Sequence, residues 1–487
     1  MQGNVLELLL AKPWLLLIAI FCLGLSVFVH ELGHYLAARW RGMYAPRFSI
    51  GFGRKIWSWK DRHGTEFMIS WIPLGGYVAL PQLADMGGLE GGDGEESKQL
   101  PPAGYLDKVV VSVAGAFFNL LFACLLGSIL WFVGQEVAAG SQSTEIGYVM
   151  QTMTRSDGGK IPSPAAVAGL QVGDVIRSID GKRTKVWSDV LKALVYGSGR
   201  SDAGLRTAEF VIERGGKPLT VTLHPELATR GRIRRIGISL ANNLTIESLV
   251  PGKPAALAGF RAGDKVRSVD GVPVRSEMTL EELLPAKSPQ SHNVTVVRDA
   301  ESVVLSVPAG VFGDQMADWG AQWRYDSIRI HANPVAQVWQ QIADSLQNLW
   351  IVINPKTDIR ASDMGGPLEI VRQFVFAADD GVFTLIYLVL LINVALAVFN
   401  LMPIPVLDGG HVVFATIAKL RGRPIPPNII ASVQTFFFIL LILLMLYVST
   451  NDVRRAVRDT QPASEEKQPE KAPQPSAADP APAAAKP

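Results

Sequence analysis

Four long stretches of this chain contain no charged residue, and they restrict its fold more than any other feature of the sequence. They cover residues 13–29, 109–133, 381–407 and 424–451. Because an α-helix rises about 1.5 Å per residue, about 20 apolar residues cross the ~30 Å hydrocarbon core of a bilayer. Charged residues make up only 18% of the chain, against about 25% in typical soluble domains. The sequence therefore predicts a polytopic α-helical membrane protein with four transmembrane helices, at residues 7–38, 108–134, 381–407 and 425–450.

The first of these helices could instead be a signal peptide, since Leu36, Ala37 and Ala38 resemble a cleavage site. Its apolar core is longer than that of a typical signal peptide, and ionisable residues lie within the span. We therefore predict a first transmembrane helix that is not cleaved.

Basic residues in the short loops predict how the helices are oriented. Seven Lys and Arg residues lie between positions 39 and 63, against one acidic residue, Asp61. Three more basic residues, within 419–423, precede the fourth helix, and basic short loops remain in the cytoplasm. The first helix then runs from outside to inside, and residues 135–380 are extracytoplasmic.

Composition excludes several other classes of protein and site. The formal net charge is only +2, which gives no reason to expect nucleic acid as a partner. The two cysteines, Cys22 and Cys124, each lie inside an apolar run. A disulfide framework and a four-cysteine zinc site are therefore both excluded.

A 14-residue pattern occurs twice in the predicted extracytoplasmic segment. Residues 168–181 recur as residues 258–271, and eight of the 14 positions are identical. In each copy a Gly-Asp pair precedes a short alternating strand, and an Asp-Gly pair closes a hairpin. The sequence therefore predicts one module of about 80–90 residues that is used twice, at residues 142–226 and 232–310.

The two copies resemble α+β PDZ domains of the bacterial protease type. The alternative is another small β-rich domain with the same turns. The resemblance implies that each module binds peptides by adding a strand at an open sheet edge. In a membrane protein the pair could equally act as a steric filter, and the sequence does not decide between these two roles.

An amphipathic helix is predicted close to the outer end of the third transmembrane helix. Within the region 330–360, apolar residues recur at three- and four-residue spacing over residues 334–353. This helix could lie on the membrane surface. Packing against the two repeated modules is the alternative.

Two further segments carry no chemistry that the sequence can assign. The tail at residues 459–487 is rich in Pro and Ala, and we predict that it is disordered. The stretch 87–96 is acidic and rich in glycine.

The first candidate for a catalytic metal site is an H-E-x-x-H motif on the first predicted helix, His30-Glu31-Leu32-Gly33-His34. The four-residue spacing places both imidazoles on one helix face, where they can share a tetrahedral Zn²⁺. Glu31 can reach a water at the metal as general base. The alternative is a pair of core histidines beside a glutamate. Ionisable residues inside a membrane span each cost about 2.5 kcal/mol or more, so three within five positions favour a metal site.

A catalytic zinc site needs a third protein ligand, and Asp408 is the best candidate. It follows Asn400 in the sequence NLMPIPVLDGG, whose prolines Pro403 and Pro405 must interrupt the third helix. Backbone that is not helical is tolerated at membrane depth only where it lines a protein cavity. Leu-Asp-Gly alone would indicate a helix-ending turn, but this context favours a metal ligand.

Together, the H-E-x-x-H motif and NLMPIPVLDGG resemble the site-2 protease family of intramembrane zinc metalloproteases. Two PDZ-like modules between the second and third helices are similar to its bacterial type with tandem PDZ domains. The resemblance implies that His30, His34 and Asp408 bind zinc and that Glu31 is the catalytic base. It also implies a substrate-binding role for a second set of residues: Asn400, Pro403, Pro405, Gly75 and Gly76.

Within residues 39–107, the segments 48–53 and 69–78 resemble the family's membrane-associated β-loop. An extended substrate could pair with the open edge of this loop, which would expose peptide bonds that a helix hides. The alternative is a cytoplasmic hairpin that only packs against the helices.

The resemblance also implies a function, namely regulated intramembrane proteolysis of single-span membrane proteins. Expected substrates are an anti-sigma factor that has already been trimmed outside, or a remnant signal peptide. The expected location is the bacterial inner membrane, with PDZ domains in the periplasm and the active site near the cytoplasmic side. The PDZ pair would then exclude substrates with bulky outer domains.

Two other classes of protein fit part of the pattern. A membrane-anchored scaffold or metal-storage protein would keep the histidines but would be indifferent to Glu31. A metal transporter would have polar residues along several helices, whereas the second and fourth helices offer few beyond Asn119 and Gln434. The sequence therefore favours a protease.

Overall fold

The computed structural model describes residues 5–83, 100–101, 103–154, 159–227, 233–285, 289–312, 316–360 and 363–460. The acidic stretch 87–96 and residues 461–487 of the predicted tail lie outside the described residues. The helices of the described part are, in chain order, α1 (Val5–Ala11), α2 (Trp14–Trp40), α3 (Tyr105–Val133), α4 (Pro164–Val167), α5 (Trp187–Tyr196), α6 (Pro254–Leu257), α7 (Glu277–Leu283), α8 (Pro334–Ile353), α9 (Pro367–Asp380), α10 (Val382–Asn400), α11 (Asp408–Arg421) and α12 (Pro427–Thr460).

The strands fall into three groups along the chain. A hairpin follows α2, most strands lie between α3 and α8, and a two-stranded ribbon joins the ends of that middle segment. In chain order the strands are β1 (Arg47–Lys60), β2 (Glu66–Ala79), β3 (Gln135–Ala138), β4 (Ile146–Val149), β5 (Thr152–Thr154), β6 (Lys160–Pro162), β7 (Val175–Ile179), β8 (Lys182–Arg183), β9 (Ala208–Arg214), β10 (Lys217–Leu223), β11 (Glu226–Leu227), β12 (Arg234–Arg235), β13 (Ile238–Leu240), β14 (Leu244–Leu249), β15 (Lys265–Val269), β16 (Val272–Pro273), β17 (His292–Arg298), β18 (Glu301–Val307), β19 (Ala321–Tyr325) and β20 (Ser327–Ile330).

Four described helices are long and apolar enough to cross a membrane, which makes the chain a membrane protein. They are Trp14–Trp40, Tyr105–Val133, Val382–Asn400 and Pro427–Arg454. Each overlaps one of the uncharged stretches seen in the sequence, although the limits differ. Pro13 separates α2 from the short α1, and α12 continues past residue 450 to Thr460. The prediction that the third helix extends to residue 407 is wrong, because α10 ends at Asn400.

Helices α2 and α3 approach each other closely through small residues. A Cβ atom added at Gly33 would lie 2.5 Å from the Ala114 carbonyl oxygen and 3.0 Å from the Cα of Gly115. Packing of small residues is a principal way in which helices associate in lipid. Helix α10 joins this pair, and its fully buried Asn393 donates hydrogen bonds to Ser26 Oγ (2.9 Å) and to a carbonyl of its own helix (2.8 Å).

The hairpin formed by β1 and β2 is folded back on itself. Residues 47–50 of β1 pair on one side with residues 66–69 and on the other with residues 76–79 of β2. Gly51 and Gly75 have φ values of +87° and +97°, a conformation that side chains with a Cβ atom rarely adopt. The two long strands therefore bend and make a sheet four strands wide, with residues 76–79 at an edge.

The middle segment contains two domains built alike, repeat 1 (β4–β13) and repeat 2 (β14–β19). Strands β10-β9-β7 of repeat 1 and β18-β17-β15 of repeat 2 follow the same order. Each repeat also has a buried aspartate paired with an arginine at 2.7 Å, Asp174 with Arg214 and Asp264 with Arg298. The repeated sequence pattern therefore corresponds to a repeated structure.

Both repeats extend past the limits predicted from the sequence. In repeat 1, β13 pairs with β4 and lies after the predicted end at residue 226. In repeat 2, β19 pairs with β14 and lies after residue 310. The sequence pattern marks the turns of each module, and it contains no signal for a closing strand that pairs with the start of the domain.

Helix α8 covers residues 334–353, as the periodicity predicts, and it contacts both the membrane helices and repeat 1. Val338 packs in the apolar cluster formed by α2, α3 and α10. On another face, Asp344 pairs with Lys192 of α5 at 2.6 Å, and Asn348 accepts a hydrogen bond from Tyr196. Trp339 remains 71% exposed, so packing against repeat 1 still leaves an apolar face open.

The segment after α8 also contacts repeat 1, through ion pairs. Asp358 pairs with Arg234 at 2.9 Å and also contacts Arg200 and Arg206. Burial raises the pKa of Asp358, but the hydrogen bond from Arg234 and the nearby arginine charges outweigh burial and hold that pKa below its usual value. Repeat 1 is therefore joined to the segment that leads into the third transmembrane helix.

Candidate metal centre

Three predicted ligands from distant parts of the sequence converge at one point. Nε2 of His30 and Nε2 of His34 lie 3.2 Å apart. Oδ2 of Asp408 lies 3.2 Å from the first nitrogen and 3.4 Å from the second. All three side chains are buried. Within the described residues, this is the one group of three or more His, Cys, Asp or Glu side chains that could hold a metal ion.

The arrangement of these atoms fits a tetrahedral metal ion. Nδ1 of His34 donates to the Val111 carbonyl oxygen at 2.8 Å, which directs the Nε2 lone pair into the cluster. Oδ2 of Asp408 is buried and has no hydrogen-bond partner in the described structure. Tetrahedral zinc with bonds of about 2.0–2.1 Å separates neighbouring ligand atoms by about 3.3–3.4 Å. The observed distances match this, and two imidazoles with one carboxylate are typical ligands of catalytic zinc.

Asp408 reaches the cluster because a new helix begins there. The two prolines between Asn400 and Asp408 lack the N–H that a continuing helix requires, so α10 stops and α11 starts at Asp408. A Cβ atom at Gly409 or Gly410 would overlap backbone oxygens of the turn at residues 401–404. These two glycines therefore allow the start of α11 to fold back against that turn.

Glu31 lies beside the cluster and is held by the hairpin. The backbone N–H of Val78 donates a hydrogen bond to the Glu31 carboxylate. A Cβ atom at Gly76 would lie 3.1 Å from Cγ of Glu31 and 2.8 Å from the Ser49 carbonyl oxygen. At Gly75, a Cβ atom would overlap the Phe52 ring. The structure thus places the predicted glycine pair at the edge strand next to Glu31.

The remaining predicted residues lie along the segment that precedes Asp408. Nδ2 of Asn400 is 3.2 Å from Nε2 of His30, so its amide borders the cluster. Pro403 and Pro405 lie in the turn between α10 and α11. Asn400 is therefore close enough to contact a molecule bound at the cluster, while the prolines shape the turn.

Sequence reasoning assigned no role at the site to Gly115 of α3. A Cβ atom there would overlap Nε2 of His34 and lie 2.6 Å from Cε1 of His30. The signal in the sequence is the run of small residues Ala114, Gly115 and Ala116 within an otherwise bulky helix. Gly115 therefore provides the space in which the two imidazoles lie.

We expect Gly115→Ala to weaken zinc binding at least about tenfold, because the added methyl group displaces both imidazoles. Zinc affinity of the purified protein, measured by competition with a chelator, checks this prediction. Gly127→Ala is the matched control on the same helix. A Cβ atom there would meet Leu390 and Pro334 at 3.3 Å, far from the cluster. Equal zinc affinities of the two variants would contradict the role of Gly115.

A known protein family and several known proteins match most of this chain. The sequence model of peptidase family M50 matches residues 18–444. The chain is 28% identical over 480 residues to "Protease RseP" of Yersinia pestis, with 91% of this chain and 99% of that protein covered. It is 26% identical to "Regulator of sigma-E protease RseP" of Escherichia coli (strain K12), with 92% and 100% covered. A protein of Xylella fastidiosa that is named as a zinc metalloprotease is 28% identical, with 91% and 98% covered.

Proposed function

The chain belongs to peptidase family M50 and is a zinc metalloprotease, and from that premise we propose the roles of its residues, its substrates and its place in the cell. Its function is regulated intramembrane proteolysis. The observation that carries the proposal is that Asp408 meets His30 and His34 on α2, one of the four helices able to cross a membrane, with Glu31 beside them.

We assign the zinc ligands as His30, His34 and Asp408, and the general base as Glu31. Zinc, when bound, polarises a peptide carbonyl and lowers the pKa of water. Glu31 accepts the proton of the attacking water and then delivers it to the leaving amide nitrogen. The hydrogen bond from the Val78 N–H supports this assignment, because it orients the carboxylate without occupying its whole proton-accepting capacity.

The substrate is proposed to bind as an extended strand along residues 76–79 of β2. This segment pairs with β1 on one side, and on the other it runs beside Glu31. A transmembrane helix has all its backbone groups hydrogen-bonded internally, so a substrate must unwind before water can reach a peptide bond. Strand addition supplies replacement hydrogen bonds. The absence of a side chain at Gly76 lets this edge strand lie against Glu31, since a Cβ atom there would meet Cγ of Glu31 at 3.1 Å.

Asn400 is proposed to line the substrate site from the end of α10. Its amide borders His30 and can hydrogen-bond to the backbone of a bound strand. Pro403 and Pro405 keep the following turn out of a helical conformation. Irregular backbone of this kind is tolerated at membrane depth where it is buried in protein or lines a cavity.

Repeats 1 and 2 are proposed to be PDZ domains outside the cytoplasm. Both follow α3 and precede α10, so they lie on the opposite side of the membrane from the basic hairpin. The open face of α8 has Trp339 and Trp350, residues typical of a membrane interface. Ion pairs join repeat 1 to α8 and to Asp358, which supports our proposal that it obstructs substrates with large outer domains.

We place the protein in a bacterial inner membrane, with the site near the cytoplasmic side. The Escherichia coli relative is named as a regulator of sigma-E protease, and we propose for this chain a single-span substrate of the anti-sigma factor type, already trimmed outside. A remnant signal peptide has the same form, namely one apolar span with a short outer segment.

A reconstituted cleavage assay tests the proposal. The purified protein is placed in liposomes with a single-span substrate that has either a short outer segment or the same segment fused to a folded domain. We expect cleavage of the short form and release of its fragment on the side of the basic hairpin. Equal cleavage of both forms would contradict the filter. No cleavage of several unrelated short substrates would contradict the proposed substrate class.

A further inference from the structure

The two imidazoles of the cluster are supported differently on their Nδ1 atoms. His34 donates from Nδ1 to the Val111 carbonyl oxygen. Beside Nδ1 of His30 lies the side-chain amide of Asn119, whose Nδ2 is 3.4 Å away. Asn119 is fully buried, and its Oδ1 has no hydrogen-bond partner in the described structure. A buried amide oxygen without a donor requires an explanation.

The chemistry of a metal-bound imidazole supplies that explanation. When Nε2 of a neutral histidine binds a metal, Nδ1 has the proton and needs an acceptor. An amide NH₂ group cannot accept, but the amide oxygen can. The oxygen and nitrogen of an asparagine side chain exchange places by a half-turn and are distinguished only by their hydrogen bonds. That half-turn brings Oδ1 of Asn119 to Nδ1 of His30.

We propose that Asn119 is the positioning residue for His30, accepting the Nδ1 hydrogen through its side-chain oxygen. This bond fixes the imidazole in the tautomer whose Nε2 lone pair faces Asp408. The inference rests on the proposed function only in requiring that His30 binds zinc. Asn119 itself touches neither substrate nor metal.

The placement of Asn119 on α3 supports this role. Val111, Gly115 and Asn119 are spaced four residues apart and so share one face of the helix. The first holds His34 through its carbonyl, the second leaves space for both imidazoles, and the third lies against His30. One face of α3 therefore supports both histidines of α2.

The test measures zinc affinity by chelator competition in the purified, full-length protein. Asn119→Leu keeps the approximate size but removes the acceptor, and we expect zinc affinity to fall about 10–100-fold. Asn119→Asp restores an acceptor and is expected to bind zinc within a few-fold of wild type. The visible absorption of the Co²⁺-substituted protein should shift in Asn119→Leu, since the orientation of one imidazole changes.

Asn393→Leu is the matched control. Asn393 is also fully buried, and its Oδ1 likewise has no hydrogen-bond partner in the described structure, but its Nδ2 donates to Ser26 and the Val389 carbonyl and not to a histidine of the cluster. We expect this variant to lose thermal stability and to keep its zinc affinity and Co²⁺ spectrum. The inference is overturned if Asn119→Leu binds zinc as wild type does, or if Asn393→Leu loses as much affinity. Absence of zinc binding in wild type would instead contradict the proposed function itself.

Discussion

Glu31→Gln is expected to abolish cleavage of a single-span substrate while the zinc content of the protein stays unchanged. Glutamine has nearly the same shape as glutamate but cannot accept a proton from water. Loss of a general base typically costs about 10²–10⁴-fold in rate. Glu31 is not among the three residues that converge on the metal position, so zinc binding does not depend on it. Cleavage rate and zinc per chain, measured on one preparation, check both parts.

Glu66→Gln provides the matched control for this experiment. Glu66 lies at the start of β2 and pairs with Lys55 at 2.9 Å, away from the cluster. We expect this variant to cleave at the wild-type rate. If Glu31→Gln also cleaved at that rate, its assignment as the base would be wrong. Zinc binding without any cleavage in wild type would favour a scaffold or metal-storage protein, for which Glu31 is dispensable.

Asp408→Ala is expected to lose both zinc and activity. The carboxylate is one of the three ligands that we propose, and catalytic zinc sites use three protein ligands. With two imidazoles remaining, we expect zinc affinity to fall by more than about 100-fold, beyond the usual cost of losing a residue that only supports a ligand. Zinc retained per chain after dialysis against a weak chelator, together with the cleavage rate, measures the effect.

Asp379→Ala is the control that tests whether loss of zinc and activity is specific to removal of the carboxylate at position 408. Asp379 lies on α9, where it pairs with Lys12 at a partly exposed site. Its removal is expected to leave zinc content and cleavage unchanged. Stoichiometric zinc in dialysed Asp408→Ala would show that another residue supplies the third ligand.

The three side chains that converge in the structure could be singled out from the sequence because their signals are local. His30 and His34 are one helical turn apart, so their shared face follows from helix geometry alone. Asp408 was indicated by prolines in a membrane segment, although the sequence did not show that it begins α11. The contributions of α3 could not be predicted in the same way. A backbone carbonyl at Val111 and the missing Cβ at Gly115 become functional only through the packing of α3 on α2.

For the fold too, features with a local sequence signal were predicted, and features that depend on contacts between distant segments were not. Helix α8 was predicted over its full length because its apolar residues have a clear period. The sequence left its packing against the repeats open as one of two alternatives. It gave no role to Asp344, because a charged residue on a helix ordinarily indicates a solvated face. The closing strands β13 and β19 were missed because strand pairing with a distant segment leaves no local pattern. Helix α9 was also not predicted.

The most direct test of the zinc centre is X-ray absorption at the zinc edge of the purified wild-type protein, with zinc per chain measured on the same sample. The account predicts one zinc per chain, surrounded only by nitrogen and oxygen atoms, with the scattering pattern of two imidazoles. Absence of bound zinc, or sulfur among its ligands, would contradict the centre formed by His30, His34 and Asp408.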